Sequence, residues 1–437
     1  MRLFTYLLFF CLLTHSSFSQ HWKQKLDSVL TIIEKDELFH GQILIAEHGN
    51  IVFHKSYGTL PGQDVPITTS TSLAVKSITK AFTAAAILKL EQEGKLVLSD
   101  TVKKYFPEWP YEGITIKQLL AMTSGLPSFI EKAVNVVDTT KFLNNAAIVK
   151  LVSENIFPVE APGAHYNYQN SNYIVLAALV EKVSGMPYEA YATKAIFEPL
   201  DLKHTYFEDL TQISDTINGD TFFAPSGDGN LYSTAEDLYR FEQAFYSNTL
   251  LSEENRKATF SKTLLKDGSL SNYGLAWWVV DDAAPKEYYI VGDGPNKRAS
   301  IQRYPENHST LIYIHNFSGS YWKGVYWVVR NIWFGNDFTM PTKKEELTPY
   351  AIDTKLYTHY VGSYLTKSFG LLHISVENGT LYLRPDPIPG KEALIPSSAT
   401  TFYFKDQSVQ WEFFLDEEGN VKGFGLKGKP ESMGEKQ

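Results

Sequence analysis

Cysteine is almost missing from this chain. Among 437 residues there is one, Cys11, inside an apolar N-terminal stretch. The rest of the sequence therefore offers no disulfide framework, no thiol nucleophile and no cysteine metal site. Histidine does not fill the gap: eleven are scattered along the chain and no H-E-x-x-H occurs, which argues against a bound metal or cofactor. There is no G-x-S-x-G elbow and no Walker loop. No basic block interrupts a net charge of −9, so nucleic acid is not an expected partner. Beyond the N-terminus, no run is long and apolar enough to span a bilayer.

What is present begins with "MRLFTYLLFFCLLTHSSFSQ". Arg2 gives a short positive region, Leu3 to Leu13 an apolar one, and Ser17-Phe18-Ser19 a small-x-small cleavage site. Residues 1–19 read as a secretory signal peptide, and the expected location is periplasmic or extracellular. Phe10 before Cys11 fits a lipoprotein cleavage site poorly. The remaining chain, rich in apolar and aromatic residues, is long enough for two domains.

Periodicity divides residues 20–335 into early strands, a helical middle and late strands. Trp22, Leu26, Val29, Leu30 and Ile33 recur at helical spacing, and "GQILIAEHGNIVFHKSYG" reads as a hairpin around His48-Gly49-Asn50. Helical patterns follow to Tyr246, and then strands in "EYYIVG", "ASIQRYP" and "STLIYIHN", with "YWKGVYWVVRNIWFG" as a closing helix. This order predicts an α/β fold, an antiparallel sheet flanked by helices and split by a helical insertion. A polar linker at 336–350 leads to residues 351–437, where short strands alternate with turns at Asn378-Gly379 and Glu418-Gly419-Asn420. That segment predicts a small antiparallel β domain, a barrel or a barrel-like sheet.

The chemistry centres on "LAVKSITKAFTAAAILKLEQEGKL". Ser77 and Lys80 stand three residues apart and share a helix face. The residues behind them are apolar on nearly every side, so the helix is expected to be buried all round. Burial disfavours an ammonium, and an amine one turn from a hydroxyl can act as its base. A Ser77 that merely caps the helix, with Lys80 bent into water, explains the same spacing. Ser320 and Lys323 repeat that spacing elsewhere in the chain. A second cluster, Tyr168-Gln169-Asn170, follows a Pro162-Gly163 turn and precedes a helix. Tyr168 could carry a proton to a leaving group, and Asn170 could hold Lys80 and a substrate amide. Tyr246 and Asn248 repeat the Y-x-N spacing at a helix end.

Several stretches in one order resemble the serine β-lactamase and penicillin-binding-protein superfamily, in its class C-like esterase and peptidase branch. They include "SLAVKSITKAFTAAAILKLEQEGKLVLSDTVKKYFPE", "ITIKQLLAMTSGLP", "APGAHYNYQNSNYIVLAALVEKVSG", "IFEPLDLKHTYF" and "LYSTAEDLYRFEQAFY". The resemblance covers roughly Phe39 to Trp333. It implies a β-lactamase-like fold with Ser77 as acyl-enzyme nucleophile, Lys80 as its base, and Tyr168 with Asn170 as the second motif. It also implies that the matches at Ser320 and Tyr246 are accidental. The tail is similar to the lipocalin-like domain that often follows such a hydrolase.

The family's third motif is Lys or His, any residue, then Gly, on the strand lining the site. In "EYYIVGDGPNKRASIQRYP" neither cation is in place. Counting back from Pro305 without a gap puts Ile290-Val291-Gly292 on the motif; a short deletion puts Gly292-Asp293-Gly294 there. The oxyanion hole implied by the family uses the N–H of the nucleophile and of the residue after the motif glycine. In the gapped version that residue is Pro295, which has no N–H. Gly292 and Asp293 are therefore the better assignment. A substitute cation could come from Lys297-Arg298. Alternation lets at most one of them face the cleft, and the guanidinium fork favours Arg298 for a substrate carboxylate, against two solvated charges on a turn.

The expected function is an exported serine hydrolase that forms an acyl-enzyme on Ser77 and cleaves an ester or amide in a small molecule or peptide, as a carboxylesterase or atypical peptidase. The alternative is a catalytically weak or inactive binding protein that keeps the fold.

Overall fold

The structure is a computed structural model and describes residues 21–127, 129, 144–154, 159–208, 225–282, 284–294, 296–316, 322–341, 349–366, 370–385, 391–404 and 410–437. The expected signal peptide, Pro295, Ser320 and the middle of the expected linker lie outside the described residues. Among the described residues, no helix is long and apolar enough to cross a membrane, and no cluster of three potential metal ligands occurs. The chain forms two compact units, Met1–Ser318 with Val325–Thr339, and Gly319–Gly324 with Met340–Gln437.

The first unit is built on strands β1 (Gly41–Glu47), β2 (Asn50–Tyr57), β3 (Trp278–Val280), β4 (Glu287–Gly294), β5 (Lys297–Tyr304) and β6 (Ser309–Asn316). They form one antiparallel sheet in the order β2-β1-β6-β5-β4-β3. The hairpin turns at His48 and His308 adopt φ of 51° and 47°, the left-handed region that tight reversals need. Period-two alternation gives the sheet two apolar faces. Leu44, Ala46, Ile290, Ala299, Ile301, Ile312 and Ile314 join the helical core on one side. On the other side Tyr313 packs against Phe39 at 5.2 Å and against Tyr326 at 6.3 Å.

The helical insertion contains α1 (Thr79–Gln92), α2 (Asn170–Ser184) and α3 (Ala235–Gln243). Helix α1 is buried continuously from Thr79 to Leu88, because alanines on its flanks let neighbouring backbones approach while Phe82, Ile87 and Leu88 fill the core. It ends at Gly94, φ 69°, and α2 ends at Gly185, φ 71°, both left-handed closures of the kind glycine provides. Leu73–Ala74, Tyr206–Phe207 and Leu231–Ser233 make a small ribbon beside the start of α1.

The second unit is a closed barrel of eight strands: β7 (Gly362–Thr366), β8 (Gly370–Glu377), β9 (Thr380–Pro385), β10 (Glu392–Pro396), β11 (Thr401–Phe404), β12 (Gln410–Leu415), β13 (Val421–Leu426) and β14 (Gly434–Lys436). Pairing of β7 with β14 closes it, which removes the exposed edges an open sheet would leave. Its core is aromatic: Tyr360 stacks on Phe413 at 4.2 Å, and Phe413 meets Phe424 at 4.5 Å.

Candidate active site

Ser77 stands in a single 3-10 turn, Lys76–Ile78, between the ribbon strand Leu73–Ala74 and α1. The approach is clamped on both sides. The Asn316 amide donates to Ala74 O at 3.1 Å and accepts from Ala74 N at 3.2 Å, and Val75 N donates to Leu231 O at 3.0 Å. Lys76 turns the chain with φ 50°, an uncommon conformation for a side-chain-bearing residue, which surrounding contacts must hold. One such contact is Thr79, whose hydroxyl donates to Lys76 O at 2.7 Å and accepts from Leu231 N at 3.2 Å.

Lys80 lies one turn on and is 1% exposed. Its ammonium donates to Ser77 Oγ at 3.0 Å and to the Asp228 carbonyl at 2.7 Å. Ring faces complete its surroundings, with Tyr168 at 5.1 Å and Tyr173 at 5.9 Å. The solvated-lysine alternative is thereby removed. The Asp228 carbonyl depends on its neighbour: Thr83, which also contacts the Tyr188 hydroxyl at 2.6 Å, donates to Gly227 O at 2.7 Å. Gly227 has φ 101°, and a Cβ there would lie 2.6 Å from Ala177 Cβ on α2. Burial pushes the Asp228 carboxyl above the usual range, partly offset by Lys80 and Lys76. Nothing local in the sequence marks Asp228; it reaches Lys80 only through this packing.

Tyr168 is 39% exposed in the loop before α2, so its ring lies over Lys80 with one side open. Asn170 opens α2 and is exposed. The buried amide two residues on, Asn172, anchors the loop by donating to Gln169 O at 3.1 Å and accepting from Ser124. Tyr246, the other Y-x-N tyrosine, lies 3.9 Å from the Arg303 guanidinium, which is buried and ion-paired with Glu242 at 2.9 Å. That tyrosine is part of a packed aromatic and ionic cluster.

Strand β4 runs past the serine. A Cβ on Gly292 would stand 1.9 Å from Val75 O and 2.9 Å from Ser77 N, so only glycine lets the two backbones meet here. The corresponding atom on Gly294 would meet only the Lys76 stem, at 3.3 Å. Asp293 is exposed and pairs with Arg298 Nη1 at 2.6 Å. Arg298, expected to face the Ser77 cleft, lies on the other face of β5. Gly292 pairs with Ala299 and Asp293 with Arg298, so the face that meets Ser77 carries Lys297 and Ala299, and Arg298 projects from the opposite one. There Arg298 lies near Tyr313 and Tyr326, and burial, partly offset by Asp293, lowers its pKa. Alternation correctly allowed one cation on the Ser77 face; the guanidinium's better chemistry selected the wrong neighbour.

The model of the family described as Beta-lactamase matches residues 33–329, and these contain the serine, the lysine, the tyrosine loop and β4. The chain belongs to the Beta-lactamase family. A second model, a domain of unknown function (DUF3471), matches residues 348–437 and contains the barrel strands. "Penicillin-binding protein 4*" of Bacillus subtilis (strain 168) is 30% identical over 93% of this chain and 97% of its own length. The octameric penicillin-binding protein homologue from Pyrococcus abyssi superposes with a TM-score of 0.59 at 22% identity, over 92% of this chain and 97% of that one. The D-amino acid amidase from Ochrobactrum anthropi SV3, complexed with L-phenylalanine amide, gives 0.58 at 21% identity over 71% and 98%. Family and fold are those of the serine β-lactamases and penicillin-binding proteins, with a closed barrel appended.

Proposed function

We propose that this member of the Beta-lactamase family is an exported serine hydrolase that cleaves an ester or amide through an acyl-enzyme on Ser77. The observation that carries this is the Lys80 amine, buried and 3.0 Å from Ser77 Oγ. In its neutral form Lys80 accepts the Ser77 proton while an N–H still donates to Asp228 O. Oγ attacks the acyl carbon, and the carbonyl electron pair moves onto oxygen. The backbone N–H groups of Ser77 and Asp293 receive that oxyanion, a role supported by the close approach of Gly292 to Ser77. Tyr168, beside Lys80, delivers a proton to the departing alkoxide or amine and regains one from the Lys80 ammonium, which restores the neutral amine for deacylation, and Asn170 holds the substrate's polar flank. Collapse of the intermediate breaks the acyl bond, and water repeats the sequence on the ester left on Ser77. The relatives named as a penicillin-binding protein and a D-amino acid amidase favour an amide or peptide bond over a simple ester.

Incubation with a fluorophosphonate, followed by intact mass and peptide mapping, tests this. The expected result is one adduct per chain, on Ser77, absent from Ser77→Ala. A folded protein that acquires no adduct would support the inactive binding protein instead.

A further inference from the structure

A cavity of about 650 Å³ takes none of its lining from Ser77, Lys80, Tyr168 or β4, and its volume is that of a small-molecule site. One wall is the short helix Ile116–Leu120, where Thr115 and Gln118 form a reciprocal capping box. The facing wall is the hairpin of Thr263–Leu264 and Leu270–Ser271, whose turn is held by Leu265 N donating to Ser269 O at 2.9 Å. Backbone closes the rear: Lys266 N donates to Gly163 O at 2.9 Å, and Gly163 N to Thr123 O at 2.7 Å.

Lys117, Lys262 and Lys266 line this space and, among the described residues, no carboxylate does, in a chain whose net charge is −9. Lys262 is held by Asp281 at 2.7 Å; among the described residues, Lys117 and Lys266 form no ion pair. Gly163 marks the polar end. A Cβ built on it would stand 3.1 Å from Gln118 Nε2 and 3.7 Å from Lys266 Cε, so an amide donor and an ammonium approach one point. The Gln118 oxygen is committed elsewhere, since Oε1 accepts from Thr115 N at 2.9 Å. Leu264, Leu265 and Leu275 supply the apolar part of the lining. Leu264 is 68% exposed and pairs across the hairpin with Leu270, which is 59% exposed. Leucines in water beside cations without a counterion are both covered by one molecule that has an anionic head and an apolar body.

We propose that this cavity binds an amphiphilic carboxylate, a free acid with a straight alkyl chain. Its two oxygens accept from Gln118 Nε2 and Lys266 Nζ, and its chain lies along Leu264 and Leu265. A bilayer surface offers similar chemistry, but it would meet the exposed hairpin leucines and not the half-buried Gln118 amide. The site shares no residue with the Ser77 cleft and does not depend on the acyl-enzyme reading.

Calorimetric titration with octanoate, octanamide and acetate tests this. Octanoate is expected to bind about tenfold tighter than octanamide, the effect of one charge-assisted hydrogen bond, and far tighter than acetate. Lys266→Gln brings octanoate down to the octanamide level and leaves octanamide unchanged. Leu264→Ser weakens both by about fivefold, through lost apolar cover. Both side chains are exposed, so the fold tolerates either change. Lys297→Gln, on the Ser77 face of β5, leaves octanoate binding as it is. A preference that survives Lys266→Gln, or that Lys297→Gln removes instead, overturns the site, and so does a wild-type chain that binds no octanoate. Sedimentation with phosphatidylglycerol vesicles separates the remaining source. Co-pelleting that is lost in both Leu264→Ser and Lys266→Gln, without octanoate binding, would give the hairpin to a membrane and refute the cavity site.

Discussion

Alanine at Gly292 is the sharpest perturbation the site offers, because the substitution adds one carbon where two backbones touch. The new Cβ would start 1.9 Å from Val75 O and 2.9 Å from Ser77 N. Neither is a flexible side chain, so either β4 or the nucleophile turn must retreat by more than about 1 Å to reach van der Waals contact. A misplacement of about 1 Å lowers turnover about 10²-fold, and loss of one oxyanion donor lowers it by about 10²–10³-fold. Overpacking adds about 1–3 kcal/mol of destabilisation. Gly294→Ala is the internal control. Its Cβ meets only the Lys76 stem at 3.3 Å, which can swing aside, so its effect on a neutral substrate is about tenfold smaller than that of Gly292→Ala. Single-turnover rates of fluorophosphonate labelling give the catalytic loss, and thermal unfolding gives the stability change. If both alanine variants labelled Ser77 at similar rates, the assignment of Gly292 to the oxyanion site would be wrong.

Three further outcomes follow from the geometry. Tyr168→Phe lowers kcat by about 10²–10⁴-fold if the phenol carries the proton; a loss under about tenfold would reduce it to a wall of the site. Arg303→Met leaves the Glu242 carboxyl, whose side chain is 0% exposed, without its cation and should lower stability by about 3–5 kcal/mol in urea; an unchanged midpoint would show that the pair contributes nothing net. His54 and His308 are both held below the usual histidine value, chiefly by burial. The unfolded chain then binds more protons just below pH 6.5, so stability rises with pH through that window. His54→Gln with His308→Asn should flatten the slope there, and an unaltered slope in pH-resolved unfolding would refute it.

The hairpin at His48-Gly49-Asn50 and the barrel's turns were legible because each is written in a few adjacent residues. The Ser77–Lys80 pair was legible for a related reason, since helical spacing alone brings the side chains together. Its second anchor was not: Asp228 reaches Lys80 through Gly227 packing on Ala177, across most of the insertion. On β5, the sequence allowed one inward cation without phasing the strand. Phase is a property of the whole sheet, and it put Lys297 inward where the chemistry of the side chain favoured Arg298. The Y-x-N repeat at Tyr246 shows the converse, a local pattern reproduced where the surroundings serve Arg303 and Glu242.

Sheet order also imposes a timetable on synthesis. Strand β1 has β2 on one flank and β6 on the other, so a segment made among the first must wait for one ending at Asn316. The same delay applies to the candidate site. Ser77 and Lys80 leave the ribosome early, yet β4, whose Gly292 closes against the nucleophile, lies more than 200 residues downstream. Pairings of such long sequence separation form late. On the acyl-enzyme reading, a truncated chain therefore carries Ser77 and Lys80 without the wall that would let them act, and reactivity would arrive only when the sheet is complete.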